Sequence, residues 1–259
     1  MLIRISSAIF LLTCALMQGC ASLRAADVPM PLVKDELDCR EPPTTLVVFL
    51  PGAYDTPQDF IDYGFVKAVR QGGFDVDVQL ADAHRGYYSR RQILQRLEAD
   101  VIEPARAKGY RHIWFFGISL GGYGSLLYAM NRPDSLDGLV ILAPYMGELA
   151  LPLEIERQGG LRAWRTDTQG GPDAALWFWL KGYTDSSNRR PQIYLGFGSE
   201  DRFAQPNGVL AQVIAPAQRF VVPGGHDWPI WQQLWSQFLH VAPWPRLAAR
   251  QTPCSSPAR

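Results

Sequence analysis

HIWFFGISLGGYGSLLYAMNR, residues 112–132, changes its hydrophobic period halfway along. Residues 113–116 are apolar without a break, as in a parallel strand covered on both faces. From Leu120 onward the residues suit a helix, which Pro133 closes. Between the two lies Gly117-Ile118-Ser119-Leu120-Gly121, a G-x-S-x-G on a strand-to-helix turn. So sharp a turn needs small residues beside it, and Gly117 and Gly121 let the two backbones approach. The helix N-terminus beneath Ser119 favours negative charge developing above it. Ser119 is the candidate nucleophile. In a chain with 23 glycines the motif alone separates this poorly from a glycine-rich bend, so a base and an orienting acid must also be found.

Outward from this turn, further strand candidates are TLVVFL (45–50), FDVDVQL (74–80), LVILA (139–143), QIYLGF (192–197) and RFVV (219–222). Helical patterns lie between them, near 57–71, 89–108, 120–132 and 203–213, with a last one from 228. That alternation predicts an α/β fold, a mostly parallel sheet with helices on both faces. The last helix has Pro229 in its first turn and an apolar face of Ile230, Trp231, Leu234, Trp235 and Phe238, read as core. About 147–191 is an insertion with two helical patterns, a lid expected over a site. Its Trp164, Trp177, Phe178 and Trp179 either line an apolar pocket or bury the insertion against the body.

Four histidines compete for the role of base. His112 opens the strand leading into the turn, at the wrong end of the sheet, and His240 closes the last helix. His226, in VVPGGHDWP, sits on a glycine-rich turn just after the last strand, at the edge where Ser119 stands. The acid belongs on the loop after the preceding strand, where GFGSEDRF offers Asp201, with its neighbour Glu200 as the alternative. Asp227 reads as a turn or cap residue.

These pieces, FLPGAYDTPQDF, GISLGGYG, GFGSEDRF and PGGHDW, resemble the α/β-hydrolase family across most of residues 45–240. The resemblance implies the chain order nucleophile, acid, base. It also implies an oxyanion hole made by backbone N–H groups of Ala53, with Tyr54 as second choice, and of Leu120. Pro51 stands where the family usually has a histidine, and the short N-terminal region implies a reduced sheet. A carboxylic ester is the substrate class implied by default. Thioester hydrolysis or acyl transfer to an envelope component is the alternative, and a binding or assembly lipoprotein that retains the fold is the non-enzymatic one.

Lysine plus arginine balance aspartate plus glutamate, 25 against 25, and no basic run exceeds a doublet, so the chain lacks the charge pattern of a nucleic-acid binder. No Cys/His/Asp cluster has metal-ligand spacing and no G-x-G-x-x-G follows a strand, so neither metal nor cofactor is expected. In LADAHRGYYSRRQIL, His84, Tyr87 and Tyr88 either face the cleft mouth or hold their own loop.

Residues 1–19 read as an export signal: MLIR supplies the charged start and ISSAIFLLTCALM the apolar stretch. That stretch falls short of the roughly 20 residues of a membrane-spanning helix. LMQGC, residues 16–20, resembles the lipobox of bacterial lipoproteins and implies lipid attachment at Cys20 and a membrane anchor. Ala21 behind it favours the outer membrane, whereas cleavage by an ordinary signal peptidase would release a periplasmic or secreted protein. Residues 20–44 then read as a tether, 45–245 as the catalytic domain and 246–259 as a C-terminal tail. With Cys14 in the signal, Cys39 and Cys254 remain, either as a disulfide or as two free thiols.

Overall fold

The computed structural model describes residues 24–165, 170–185, 190–249 and 254–255. The signal, Cys14 and Cys20 lie outside them. The described strands and helices are, in chain order, β1 (Leu32–Asp35), β2 (Asp38–Cys39), β3 (Thr45–Leu50), α1 (Pro57–Asp62), α2 (Phe65–Gln71), β4 (Asp77–Ala81), α3 (Arg85–Ser89), α4 (Ile93–Arg96), α5 (Glu103–Lys108), β5 (His112–Ile118), α6 (Leu120–Asn131), β6 (Gly138–Leu142), α7 (Ala150–Arg157), α8 (Gly171–Lys181), β7 (Gln192–Gly198), α9 (Ala204–Ala211), β8 (Arg219–Val222), α10 (Trp228–Val241) and β9 (Cys254–Ser255).

Seven strands form one sheet in the order β1-β4-β3-β5-β6-β7-β8. All neighbours are parallel except β1, which runs antiparallel to β4 along one edge. The central strands β3 and β6 are buried at every position, which explains their unbroken apolar runs. Side chains alternate across the sheet. Phe115 packs on Tyr128 of α6, whereas Phe116 packs on Trp235 of α10, so these two helices cover opposite faces. Trp235 also meets Phe49, Phe65, Phe238 and Trp244, and this aromatic cluster fixes α10 against the sheet.

Two helical segments differ from expectation. The pattern at 57–71 is split by Gly64, whose φ of +78° favours a residue without Cβ, and Thr56 and Asp59 form a capping box on the first half. The pattern at 89–108 passes through a π-helical stretch, Leu97–Ile102, between α4 and α5. Pro104 follows it; its missing N–H and bulky ring disturb the ordinary i→i−4 ladder there.

The expected tether, 20–44, is a larger correction, because its described part is folded onto the domain. Arg24 pairs with Asp82, the hydroxyl of Tyr87 donates to the carbonyl of Asp27, and the N–H of Met30 donates to Asp100. Leu32–Asp35 then completes the sheet on β4. The four-residue sequence LVKD shows no apolar alternation, and what recruits it is the unpaired edge of β4. The expected tail also folds in part. Leu247 donates its N–H to Gly73, and β9 pairs with β2, where Cys39 and Cys254 form a disulfide. No described helix is long and apolar enough to cross a membrane.

Candidate active site

Ser119 stands between β5 and α6 with φ +52° and ψ −112°, a strained conformation for a residue with a side chain. Hydrogen bonds hold it there: its N–H donates to Leu142 across 2.9 Å, and its carbonyl accepts from Tyr123 and Tyr145 across 3.1 and 3.0 Å. The glycines act as the sequence implies. A methyl at Gly117 would overlap the carbonyl of Gly121, and one at Gly121 would overlap that of Leu50.

The loop after β8 brings His226 to this turn. Its Nε2 lies 3.0 Å from Oγ of Ser119, and its Nδ1 lies 2.7 Å from Oδ2 of Asp201, on the loop after β7. Asp201 is 5% exposed, and its other oxygen accepts the N–H of Phe203 across 2.7 Å, which fixes the carboxylate plane. Glu200 is exposed. The loops of Asp201 and His226 come together because Gly198 has no side chain; a methyl there would overlap the carbonyl of Gly224. Phe203 and Trp231 stand edge-on to the imidazole, each 5.0 Å from its centre. With Ser119 at 6% exposure, little water reaches the three groups. An imidazole so placed can take a proton from the hydroxyl, with the carboxylate fixing its tautomer and stabilising the imidazolium.

The turn after β3 supplies the other wall. The N–H of Asp55 donates to Gly52 across 3.3 Å, which places Ala53 and Tyr54 at the tip. A methyl on Gly52 would lie 3.6 Å from Cβ of Ser119, so this turn packs directly on the nucleophile. The N–H groups of Ala53 and Leu120 have no acceptor among the described residues. They are free to bind an oxyanion. Tyr54 is 83% exposed.

His112 pairs with Asp137 at the opposite sheet edge, and His240 bonds the carbonyl of Ser236 on the surface of α10. Asp227 caps α10 by accepting the N–H of Ile230. His84 is buried and accepts the N–H of Gly86, Tyr87 is buried and bonds the carbonyl of Asp27, and the hydroxyl of Tyr88 is buried against Gly124. The loop-holding alternative therefore describes His84, while Tyr87 and Tyr88 tie their segment to its neighbours. Trp164 and Trp177 are fully buried in the insertion, their indoles bonded to Glu154 and to the carbonyl of Met146. Trp179 packs on Tyr183, and Phe178 is exposed. No group of three or more metal-ligating side chains occurs among the described residues.

Sequence reasoning missed four neighbours. Tyr145 stacks edge-on between Tyr123 and Phe203, a row of rings that leads to His226. Burial, with Asp173 and Glu148 nearby, raises the Tyr145 hydroxyl above the usual tyrosine range. The fourth is Asp55, whose carboxylate would overlap a methyl on Gly52. Burial raises its pKa, helped by Asp59 and opposed by the Gly52 N–H, His226 and the Trp228 indole. Its position three residues beyond the glycine of a strand-end turn is the signal that would have found it.

A family model described as "Putative esterase" matches residues 59–240. A search of the curated proteins found no match. Among solved structures, the chain is similar to the S-formylglutathione hydrolase of Staphylococcus aureus, with TM-score 0.54 and 16% identity over 83% of this chain and 98% of that one. The fluorophosphonate-binding serine hydrolase F of Staphylococcus aureus gives TM-score 0.55 at 16% identity, over 82% and 98% of the two chains. The monoacylglycerol lipase of Paleococcus ferrophilus gives 0.52 at 16%, over 81% and 98%. At such identities the likeness establishes the architecture, the α/β-hydrolase fold.

Proposed function

Starting from a chain that belongs to the esterase family, we propose that it is a serine hydrolase of carboxylesterase type, in which Ser119, His226 and Asp201 cleave a carboxylic ester through an acyl-enzyme. His226 Nε2 removes the proton of Ser119 as Oγ attacks the acyl carbon. The negative charge that forms on the carbonyl oxygen is taken by the N–H groups of Ala53 and Leu120, where losing one such donor costs roughly 10²–10³ in rate. As the tetrahedral intermediate collapses, the C–O bond to the alcohol breaks and His226 returns the proton to the leaving oxygen. Water, deprotonated by the same imidazole, then attacks the acyl carbon. The acid leaves, and the proton returns to Ser119.

The observation that carries this reading is the pair of contacts on one imidazole, 3.0 Å to the hydroxyl and 2.7 Å to the carboxylate. The test is labelling by a fluorophosphonate and hydrolysis of short p-nitrophenyl esters, both of which should vanish in Ser119→Ala. Labelling that persists in Ser119→Ala would overturn it. Faster turnover of matched acyl thioesters would replace ester by thioester. The signal-like residues 1–19 and the lipobox-like LMQGC support an exported enzyme held to a membrane through lipid on Cys20. If wild type and Cys20→Ala enter the detergent phase equally on phase partitioning, that anchor is wrong.

A further inference from the structure

We infer that the carboxyl edge of the sheet, which carries Ser119, lies against a lipid surface, and that the esters cleaved are those lodged in or at that surface. The inference rests on the proposed anchor at Cys20 and follows from the contacts of Arg24, the first described residue. Arg24 forms a double hydrogen bond to Asp82, which directly follows the end of β4. Only four residues of chain lead from Cys20 to Arg24, a reach of at most about 14 Å.

Asp82 and Ser119 belong to the same edge. Leu80 of β4 and Phe116 of β5 both align with Phe49 of β3, so the ends of β4 and β5 are two strand spacings apart. That is about 10 Å. An anchor with this short a leash holds the nucleophile's side of the domain towards the membrane. The tether reading of 20–44 would instead have left the domain free to turn.

Charge points the same way. The segment beginning at α3, three residues on from Asp82, exposes Arg85, Arg90 and Arg91. None of the three has a carboxylate partner among the described residues. Unpaired arginines beside a lipid anchor suit anionic headgroups, and a basic patch and an acyl chain bind membranes better together than either does alone. Exposed apolar side chains occur on segments that leave this edge: Tyr54 after β3, and Leu149 and Phe178 in the insertion after β6. Tyrosine suits the boundary between headgroups and acyl chains.

The experiment uses the lipidated full-length chain in vesicles of phosphatidylglycerol and phosphatidylethanolamine that carry a headgroup quencher. A dye is placed on Tyr54→Cys, or on Asp134→Cys at the opposite edge. Strong quenching at position 54 and little at 134 is expected. Equal or reversed quenching, in protein that still partitions into detergent through Cys20, overturns the orientation alone. Absence of that partitioning overturns the anchor and the orientation together. A flexible insert of about twenty residues after Leu23 should lower turnover of a vesicle-resident ester at least about fivefold and leave a soluble short-chain ester unchanged. Equal turnover of the vesicle-resident ester overturns the substrate class. Replacing Arg85, Arg90 and Arg91 by Gln in Cys20→Ala protein should weaken binding to these anionic vesicles about tenfold or more. Unchanged binding overturns the role of the arginines.

Discussion

The hydroxyl of Tyr123 donates to Oδ1 of Asp173 across 3.0 Å, so the helix that follows the nucleophile is tied to the insertion. Asp173 also accepts the N–H of Glu148 through Oδ2, across 3.1 Å, and thus joins the start of the insertion to its second helix. Burial, with Asp173 beside it, pushes the Tyr123 hydroxyl well above the usual tyrosine range, so it stays a donor throughout physiological pH. Tyr123→Phe leaves a carboxylate oxygen without its partner, a loss of about 1–3 kcal/mol. We expect faster limited proteolysis within 147–191 and a KM that rises more than kcat falls. Unchanged cleavage rates would show that this bond does not hold the insertion.

Asp201→Asn should lower kcat by about 10³–10⁴, because the amide no longer selects the productive tautomer or stabilises the imidazolium. Glu200→Gln, on an exposed side chain, should stay within about twofold. Steady-state kinetics of the two variants decide the assignment, and a larger loss at Glu200 reverses it.

Asp55 gives a prediction with opposite signs for stability and activity. Its carboxyl pKa is raised, chiefly by burial, above the ordinary aspartate value of 3.8, so the folded chain binds this proton more tightly than the unfolded one. Stability then falls as pH rises from the ordinary value through the raised one, and stays lower above it. Asp55→Asn removes that penalty, so its melting temperature relative to wild type should improve between pH 3.5 and pH 7. Activity at pH 7 should fall, since the turn bearing Ala53 loses a charged acceptor for the Gly52 N–H. A melting difference independent of pH would contradict the burial argument.

Gly121→Ala tests the close approach at the nucleophile turn. The added methyl would meet backbone of Leu50 and Pro51, neither of which can swing aside. A loss of about 1–3 kcal/mol from overpacking is expected. Fluorophosphonate labelling should fall more steeply than stability, because Ser119 moves with the turn. Gly208→Ala, at a position with open space, is the matching control.

How far the site was legible in the chain follows from how local its determinants are. Ser119, Asp201 and His226 each sit just beyond the end of an apolar strand, and parallel strands deliver their carboxyl ends to one edge. A parallel sheet and three short polar segments at its strand ends were enough to bring them together. Trp164 and Trp177 show the limit: an aromatic in a helical pattern does not tell whether it faces a cleft or its own insertion's core. β1 was illegible for another reason, since LVKD becomes a strand only because the edge of β4 is there to pair with. Tyr123 and Asp173 are 50 positions apart, and no short-range pattern links them.

The bond between Cys39 and Cys254 closes a ring that contains every strand from β3 to β8. A single protease cut inside the insertion would therefore yield two fragments that stay covalently joined even when unfolded, until a reductant is added. Ser119 would lie on one fragment, with Asp201 and His226 on the other, covalently held to the same scaffold. In denaturant the two fragments of a nicked enzyme should therefore run as one species without reductant and as two with it, and only the unreduced form keeps its partners together for refolding.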